Sequence, residues 1–267
     1  MSPPKVSIIT PSFNQGRFLP STLRSVREQD YAPIEHIVVD GGSTDGTVDI
    51  LRNAPVIHWV SEPDRGQVHA LNKGFAMATG EILGWLCSDD TLNRDAVRLA
   101  VEALERSGAD LVYGSGEIVN ENGGFLAMAK VIPFDFRLLL YCKNWIPQPT
   151  VFFRRRLLEQ AGPLREEFDN AFDYELWLRM SQYGAFSYAP EIHAQLRIHP
   201  QAKTTARADI SHQDYKKIRS EYWGRGGLPG FLVRNPWFLA IHYYYRLKRL
   251  CFWYRLKRSR AHVIPTA

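Results

Sequence analysis

Residues Glu81 to Asp90 read Glu-Ile-Leu-Gly-Trp-Leu-Cys-Ser-Asp-Asp. The run Glu81–Cys87 (EILGWLC) is continuously apolar after its first residue, so it predicts a strand covered on both faces, as in a parallel sheet between helices. The run passes directly into Ser88-Asp89-Asp90, which puts two adjacent carboxylates at a strand end. The same pattern recurs outward. Lys5–Thr10 (KVSIIT) is a β-branched strand ended by Pro11, and Phe18–Glu28 follows at helical spacing. Ile34–Asp40 (IEHIVVD) ends at Gly41-Gly42, a short helix spans Asp45–Asn53, and Val56–Ser61 is a third strand. Gly66–Thr79 is helical with Ala70, Leu71, Phe75 and Ala78 on one side, and Arg94–Ser107 is an amphipathic helix. Strands alternating with helices give an open α/β architecture through about residue 115.

Beyond that point the pattern loosens. Leu111–Val119 reads as strand, Asn122-Gly123-Gly124 as a hairpin turn and Ala127–Ile132 as its return. Pro147–Arg154 reads as a strand, Phe172–Gln182 as a helix with Leu176, Leu178 and Met180 apolar, and Ala189–His199 as containing a further strand. No internal repeat or low-complexity linker separates the halves, so they are expected to pack as one unit.

Composition narrows the classes. The 267 residues are 45% hydrophobic and 23% charged, which excludes a disordered or fibrous chain and supplies ample core. Cys87, Cys142 and Cys251 are odd in number, far apart and without CxxC spacing. A disulfide scaffold or cysteine-rich zinc site is thereby disfavoured, and a reducing compartment is expected. The opening MSPPKVSIITPSF turns polar too early for a secretory signal, and no apolar run approaches the roughly 20 residues of a spanning helix. A cytoplasmic chain, soluble or surface-bound, is expected.

In a parallel α/β sheet, ligands bind beyond the carboxyl ends of the strands. Those ends carry Thr10-Pro11-Ser12-Phe13-Asn14, Asp40-Gly41-Gly42-Ser43, Glu62-Pro63-Asp64-Arg65-Gly66 and Ser88-Asp89-Asp90. Four carboxylates, Asp40, Asp64, Asp89 and Asp90, therefore converge on one edge. Adjacent like charges are costly without a cation, and magnesium or manganese carrying phosphates supplies one. There is no GxxxxGK[ST] loop and no GxGxxG after the first strand. A nucleotide diphosphate held through a metal by Asp89-Asp90 is what remains.

The ordered series TPSFN, VVDGGSTDGT, SEPDRG, ALNKG, ATGEILGWLCSDD and FDYELWLR resembles glycosyltransferase family 2 with its GT-A fold, over Pro4 to His199. The resemblance implies a Rossmann-like nucleotide-binding sheet flanked by helices, with a smaller acceptor-side β region. It implies transfer of a sugar from a nucleotide-sugar, in the first instance a UDP-sugar, to an acceptor hydroxyl with inversion. On this resemblance, Asp89 faces the ribose or metal and Asp90 coordinates a Mg²⁺ or Mn²⁺ that bridges the diphosphate. Thr10, Ser12 and Asp40 hold the base and ribose, Asp64 joins the donor site, and Asp173 is the catalytic base. His199, in Arg197-Ile198-His199-Pro200, matches a position near the phosphate or metal. Several members carry a basic residue just before the Asn of the ALNKG-like segment, where this chain has Leu71; Lys73 or Arg65 is the expected substitute at the phosphates. The domain expected is 1–220, with a nucleotide-sugar half at 1–115 and an acceptor half at 116–220, followed by a tail at 221–267.

Plainer roles stand beside these. Asp89 and Asp90 could cap the helix beginning near Arg94, and Ser43-Thr44-Asp45-Gly46 reads as a turn and helix start. Pro63-Asp64-Arg65-Gly66 is also ordinary turn chemistry. Asp173 and Glu175 could lie on a solvated helix face, and His199 could be a structural histidine. Trp85 and Cys87 read as core, and Gln148 as a residue of the acceptor half.

Charge is uneven along the chain. From Tyr222 to the end there are nine Lys/Arg and no acidic residue, leaving 24 basic against 28 acidic side chains before it. Leu239, Tyr243, Leu247, Leu250 and Tyr254 form an apolar helical stripe among seven Lys/Arg between Arg246 and Arg260. Such a basic amphipathic helix fits an anionic membrane surface through residues 236–260, at the cytoplasmic face; packing on the domain is the plainer alternative. The body resembles no nucleic-acid fold, so no nucleic acid is expected. The acceptor expected is a lipid-linked glycan or an oligosaccharide of the cell envelope. The rivals are a nucleotidyltransferase, which lacks its Gly-rich basic loop here, and an inactive scaffold, which would be expected to have lost Asp89, Asp90 or Asp173.

Overall fold

A computed structural model describes residues 2–54, 58–142, 144–168, 170–203 and 208–222, together with Leu247. The nucleotide half alternates β1 (Val6–Ser12), α1 (Leu19–Arg27), β2 (Ile34–Asp40), α2 (Thr47–Asn53), β3 (His58–Ser61), α3 (Gln67–Met77) and β4 (Ile82–Trp85). Then come β5 (Thr91–Leu92), α4 (Ala96–Ser107), β6 (Leu111–Val119), β7 (Phe125–Met128), α5 (Phe136–Tyr141) and a 3₁₀ turn at Gln148–Thr150. The chain continues through β8 (Phe152–Arg154), α6 (Arg155–Ala161), α7 (Phe172–Met180), β9 (Phe186–Arg197) and α8 (Ala208–Tyr222).

The described strands form one nine-stranded mixed sheet in the order β3-β2-β1-β4-β8-β6-β9-β5, with β7 paired to β6. The first four are parallel, and their register decides what meets at the edge. Ser12 lies beside Asp40, Asp40 beside Ser61, and Ile9 beside Trp85. The sheet then reverses: β8 runs antiparallel to both β4 and β6, while β9 runs parallel to β6. Thr91 pairs with Gln195 in the short antiparallel contact of β5 with β9. That pairing draws the end of β9 against the Asp89-Asp90 corner.

Continuous burial explains the continuous apolar strands. Every residue of β1 and β4 is buried. One core cluster joins α3 and α7 to the sheet through Ile9, Leu71, Trp85, Phe153 and Trp177; a second joins α4 through Val6, Ile8, Val97 and Leu104. Trp85 of β4 stacks on Trp177 of α7 with ring centroids 5.2 Å apart. This stack fixes α7, and hence Asp173, relative to the end of β4. Close approach is strict at Gly74, where a Cβ would stand 2.3 Å from Ile9 Cγ2, so α3 lies almost directly on β1.

The sequence elements differ from the structure in places. Strand β1 continues through Pro11 to Ser12. Pro147–Arg154 is not one strand: Pro147 and Pro149 lack ladder donors, and a 3₁₀ turn precedes a three-residue β8. The return strand starts earlier, at Phe125, and ends at Met128. Helices α5, α6 and α8 lack a strong apolar period in the sequence, and α8 runs two residues past position 220. The basic aromatic stripe of residues 236–260 lies outside the described residues, apart from Leu247. No described helix is long and apolar enough to cross a membrane.

Candidate active site

The carboxyl edge of the parallel strands is stitched by side chains. Asp40 is fully buried, and its Oδ2 accepts from Gly42 N at 3.1 Å, Ser43 N at 2.9 Å and Ser61 Oγ at 2.6 Å, while Oδ1 accepts from Ser43 Oγ. Asp40 thus shapes the Gly41–Ser43 turn. Asp64 Oδ1 caps Gly66 N at 2.7 Å. Its carboxylate also lies against Gly41, where a Cβ would come within 2.9 Å of Oδ2. Asp45 accepts from Gly16 N and Thr47 N, the turn-and-helix-start role expected of it. Thr10 is buried, with Oγ1 2.9 Å from His36 Nε2; burial pushes the His36 pKa down to about 4. Ser12, beside Asp40, is 4% exposed, and its hydroxyl has no hydrogen-bond partner among the described residues. An orphaned buried hydroxyl at a ligand-binding edge marks a place where a ligand group supplies the missing bond.

At the end of β4, Thr22 Oγ1 contacts the carbonyls of Ser88 at 2.9 Å and Asp90 at 2.8 Å, anchoring the turn from beneath. Asp90 is buried and accepts from Arg197 N at 2.8 Å. Burial first, then the neighbouring Asp89 charge, pushes its carboxyl well above the ordinary range. Asp89 Oδ2 meets His199 Nε2 at 3.0 Å, and the Asp89 carbonyl accepts from Arg197 Nε at 2.8 Å. The His199 ring packs on Phe18 at 4.6 Å. Ligand atoms of Cys87, Asp89 and Asp90 lie within 4.8 Å of one another. Two hard oxygen donors, one buried at energetic cost, suit a divalent cation that relieves their repulsion. His199 stands outside that group of three, as the partner of Asp89.

The third corner is Asp173 in the first turn of α7. It is half-buried at the residue surface, with Oδ1 accepting from Tyr174 N at 2.7 Å and Oδ2 from Asn144 Nδ2 at 2.9 Å. Burial outweighs these bonds and raises its pKa to about 6. Burial first, then the charges of Asp90, Asp89 and Asp173, pushes the Cys87 thiol well up, so the three carboxylates lie around that side chain. Glu175, two residues on, is fully buried in an ion pair with Arg179 at 2.8 Å and accepts from Tyr222 Oη at 2.8 Å. Its carboxylate serves packing, not solvent.

Arg65 points elsewhere: its Nε and one terminal nitrogen grip Glu166 at 2.9 and 2.8 Å on the surface. Lys73 pairs with Glu62 at 2.6 Å. Leu71, where family members carry a basic residue, is fully buried in the core. Sequence reasoning passed over several participants. Cys87, read as core, faces the acidic pair and is flanked by Gln67 Nε2 at 3.2 Å and Gln148 Oε1 at 3.5 Å. Its position one residue before Ser88-Asp89-Asp90 was the available signal. Arg197 was visible only as a neighbour of His199, and Lys203, whose charge acts on Cys87, carried no signal. Asn144 carried none either.

A parallel nucleotide-type half with an acidic pair at its fourth strand, continued by a mixed half, is the arrangement of a GT-A fold. Residues 7–162 match the family model described as glycosyl transferase family 2, and the chain belongs to that family. It is 39% identical over 183 residues to an uncharacterized glycosyltransferase of Mycobacterium tuberculosis, covering 67% of this chain and 69% of the relative. It is 26% identical over 230 residues to the chondroitin synthase of Escherichia coli, covering 84% of this chain but 33% of that longer protein. S. aureus TarS 1-349 in complex with UDP-GlcNAc superposes with a TM-score of 0.64 at 20% identity, over 80% of this chain and 64% of that 1-349 chain. The mannosyltransferase PcManGT from Pyrobaculum calidifontis, in complex with GDP-Man and Mn²⁺, superposes at 0.59 and 21% identity, over 97% and 80%. These structural likenesses establish the fold.

Proposed function

We propose that this chain is an inverting glycosyltransferase that moves a hexosyl or N-acetylhexosaminyl group from a nucleoside diphosphate sugar, a UDP-sugar first, to a hydroxyl of a lipid-linked or cell-envelope glycan. The observation that carries the proposal is the pairing of two unlike carboxylate sites around Cys87. Asp173 is one buried carboxyl with a pKa raised to about 6, and Asp89-Asp90 is a crowded acidic pair. Ser12 and Asp40 form the floor of the donor end, where the Ser12 hydroxyl awaits a ligand contact. Asp64 and Thr10 shape that floor, and Arg65 and Lys73 would reach phosphates only by leaving Glu166 and Glu62.

At pH 7 a carboxyl titrating near 6 is about nine-tenths ionised yet still basic enough to take a proton in the transition state. The acceptor oxygen attacks the anomeric carbon from the face opposite the diphosphate, and its proton passes to Asp173. The bond from the anomeric carbon to the diphosphate oxygen breaks, and its electron pair leaves with the nucleotide. A Mg²⁺ or Mn²⁺ held by Asp90 and Asp89, with His199 fixing Asp89, would neutralise the charge that gathers on the diphosphate. UDP and UDP-GlcNAc in TarS, and GDP-Man with Mn²⁺ in PcManGT, support a nucleotide-sugar donor and a metal. The names of the chondroitin and hyaluronan synthases support a glycan acceptor.

Peripheral attachment to the cytoplasmic face of a membrane through residues 236–260 completes the proposal, supported by seven Lys/Arg and an apolar stripe in that stretch. Deleting residues 236–267 is expected to shift the protein from the membrane to the soluble fraction. The reaction itself is tested with a panel of nucleotide-sugars and Mg²⁺ or Mn²⁺. Release of one nucleoside diphosphate that stops on chelation supports the assignment, and a panel in which no donor binds or turns over refutes it.

A further inference from the structure

We propose that Asn144, backed by Tyr215 of α8, is a positioning residue that holds the Asp173 carboxylate ready to accept a proton. This inference rests on Asp173 being the base.

The amide of Asn144 has a fixed orientation. Its Oδ1 accepts from Ile146 N at 3.1 Å, so Nδ2 is the atom turned to Asp173 Oδ2, 2.9 Å away. The neighbouring residue is pinned as well, because Trp145 Nε1 donates to the Ile132 carbonyl at 3.2 Å. The other Asp173 oxygen is held by Tyr174 N at 2.7 Å, so both oxygens are engaged and the carboxylate plane is set. Helix α8 closes the arrangement from behind. The Tyr215 hydroxyl lies beside the Asn144 side chain, and the Tyr215 ring packs on Tyr174 at 4.6 Å. Arg219 donates to the Cys142 carbonyl at 2.8 Å, tying α8 to the start of the same segment.

The chemistry favours a neutral donor at this point. A Lys or Arg in place of Asn144 would hold Asp173 more tightly but stabilise its charged form and weaken it as a base. An amide orients the oxygen while burial keeps the proton affinity high. The ionisable groups facing this corner are the Cys87 thiol from the end of β4, with Asp89 and Asp90 behind it. Tyr215 and Arg219 face it from α8, and Lys203 from the segment after β9. Burial raises the Asp173 pKa, while the Tyr174 N–H and the Asn144 amide pull it back down.

The experiment is a pH titration of the Asp173 side-chain carbonyl carbon by NMR in the full-length protein, assigned by its loss in Asp173→Asn. Asn144→Ala and Tyr215→Phe are measured beside wild type, with donor kinetics on each. Asn144→Ala is expected to raise the midpoint by about one pH unit and lower kcat about tenfold, with donor KM within about twofold. Tyr215→Phe is expected to move the midpoint the same way by less. A folded Asn144→Ala protein with an unmoved midpoint overturns the proposal. Should that variant not fold, an unmoved midpoint in Tyr215→Phe does the same. Shifted midpoints in a protein that transfers no sugar from any donor would leave the contact standing and remove the base assignment instead.

Discussion

Two corners around Cys87 hold their carboxylates in opposite ways. At the end of β4, Asp89 and Asp90 sit side by side, clasped by the Arg197 backbone and side chain and by His199. At the start of α7, the donors to Asp173 among the described residues are neutral. The first arrangement stores repulsion that a cation relieves. The second leaves burial to raise one proton affinity. Chemically these are the needs of a leaving diphosphate and of an attacking hydroxyl, and the fold meets them from separate elements.

Substitutions can separate the corners. Asp173→Asn removes proton acceptance and is expected to lower kcat by about 10²–10⁴-fold while donor KM stays within about twofold. Asp90→Ala is expected to lower kcat/KM by about 10²–10³-fold, and chelation of the wild type should mimic it, with recovery on adding Mn²⁺ or Mg²⁺. Steady-state kinetics on the preferred donor read both. Equal losses with equal KM changes would merge the two corners into one.

A gentler break uses pH. Protonated Asp173 cannot accept the acceptor proton, so kcat/KM should fall as pH drops, with a midpoint near 6. That limb should be absent from the residual activity of Asp173→Asn. The same acid range tests the scaffold, because buried His36 stays neutral in the fold down to about pH 4. Its folded pKa lies below its unfolded value of about 6.5. The unfolded chain therefore binds the proton first, and stability is lost as pH falls between the two values. At pH 4.5 the loss from this group is roughly 2–3 kcal/mol, measurable by denaturant unfolding against a His36→Gln control. The smallest expected effect belongs to Arg65. Its fork is engaged by Glu166 on the surface, and Arg65→Ala should change donor affinity less than about twofold.

The difference between the halves also decides what could be read from the chain. Strands buried on both faces leave uninterrupted runs such as Ile34–Asp40 and Ile82–Trp85, and parallel topology puts their ends together without further information. Thr10, Ser12, Asp40, Asp64, Asp89 and Asp90 were legible for that reason. Asp173 was legible only through FDYELWLR, since a helix N-terminus with two acids is common. The antiparallel reversal at β8 was hidden in a three-residue strand that follows two prolines. Asn144, Cys87 and Arg197 act through contacts with residues 29, 61 and 108 positions away along the chain, which no local pattern encodes. The ion pair of Arg65 with Glu166, 101 residues distant, was invisible for the same reason.

The division of labour between the corners is tested most directly by calorimetric titration of UDP with Mn²⁺ into wild type, Asp90→Ala and Asp173→Asn. The account predicts metal-dependent UDP binding of equal strength in wild type and Asp173→Asn, and at least tenfold weaker binding in Asp90→Ala, about 1.4 kcal/mol or more. UDP bound equally well by Asp90→Ala, or lost in Asp173→Asn, would contradict it.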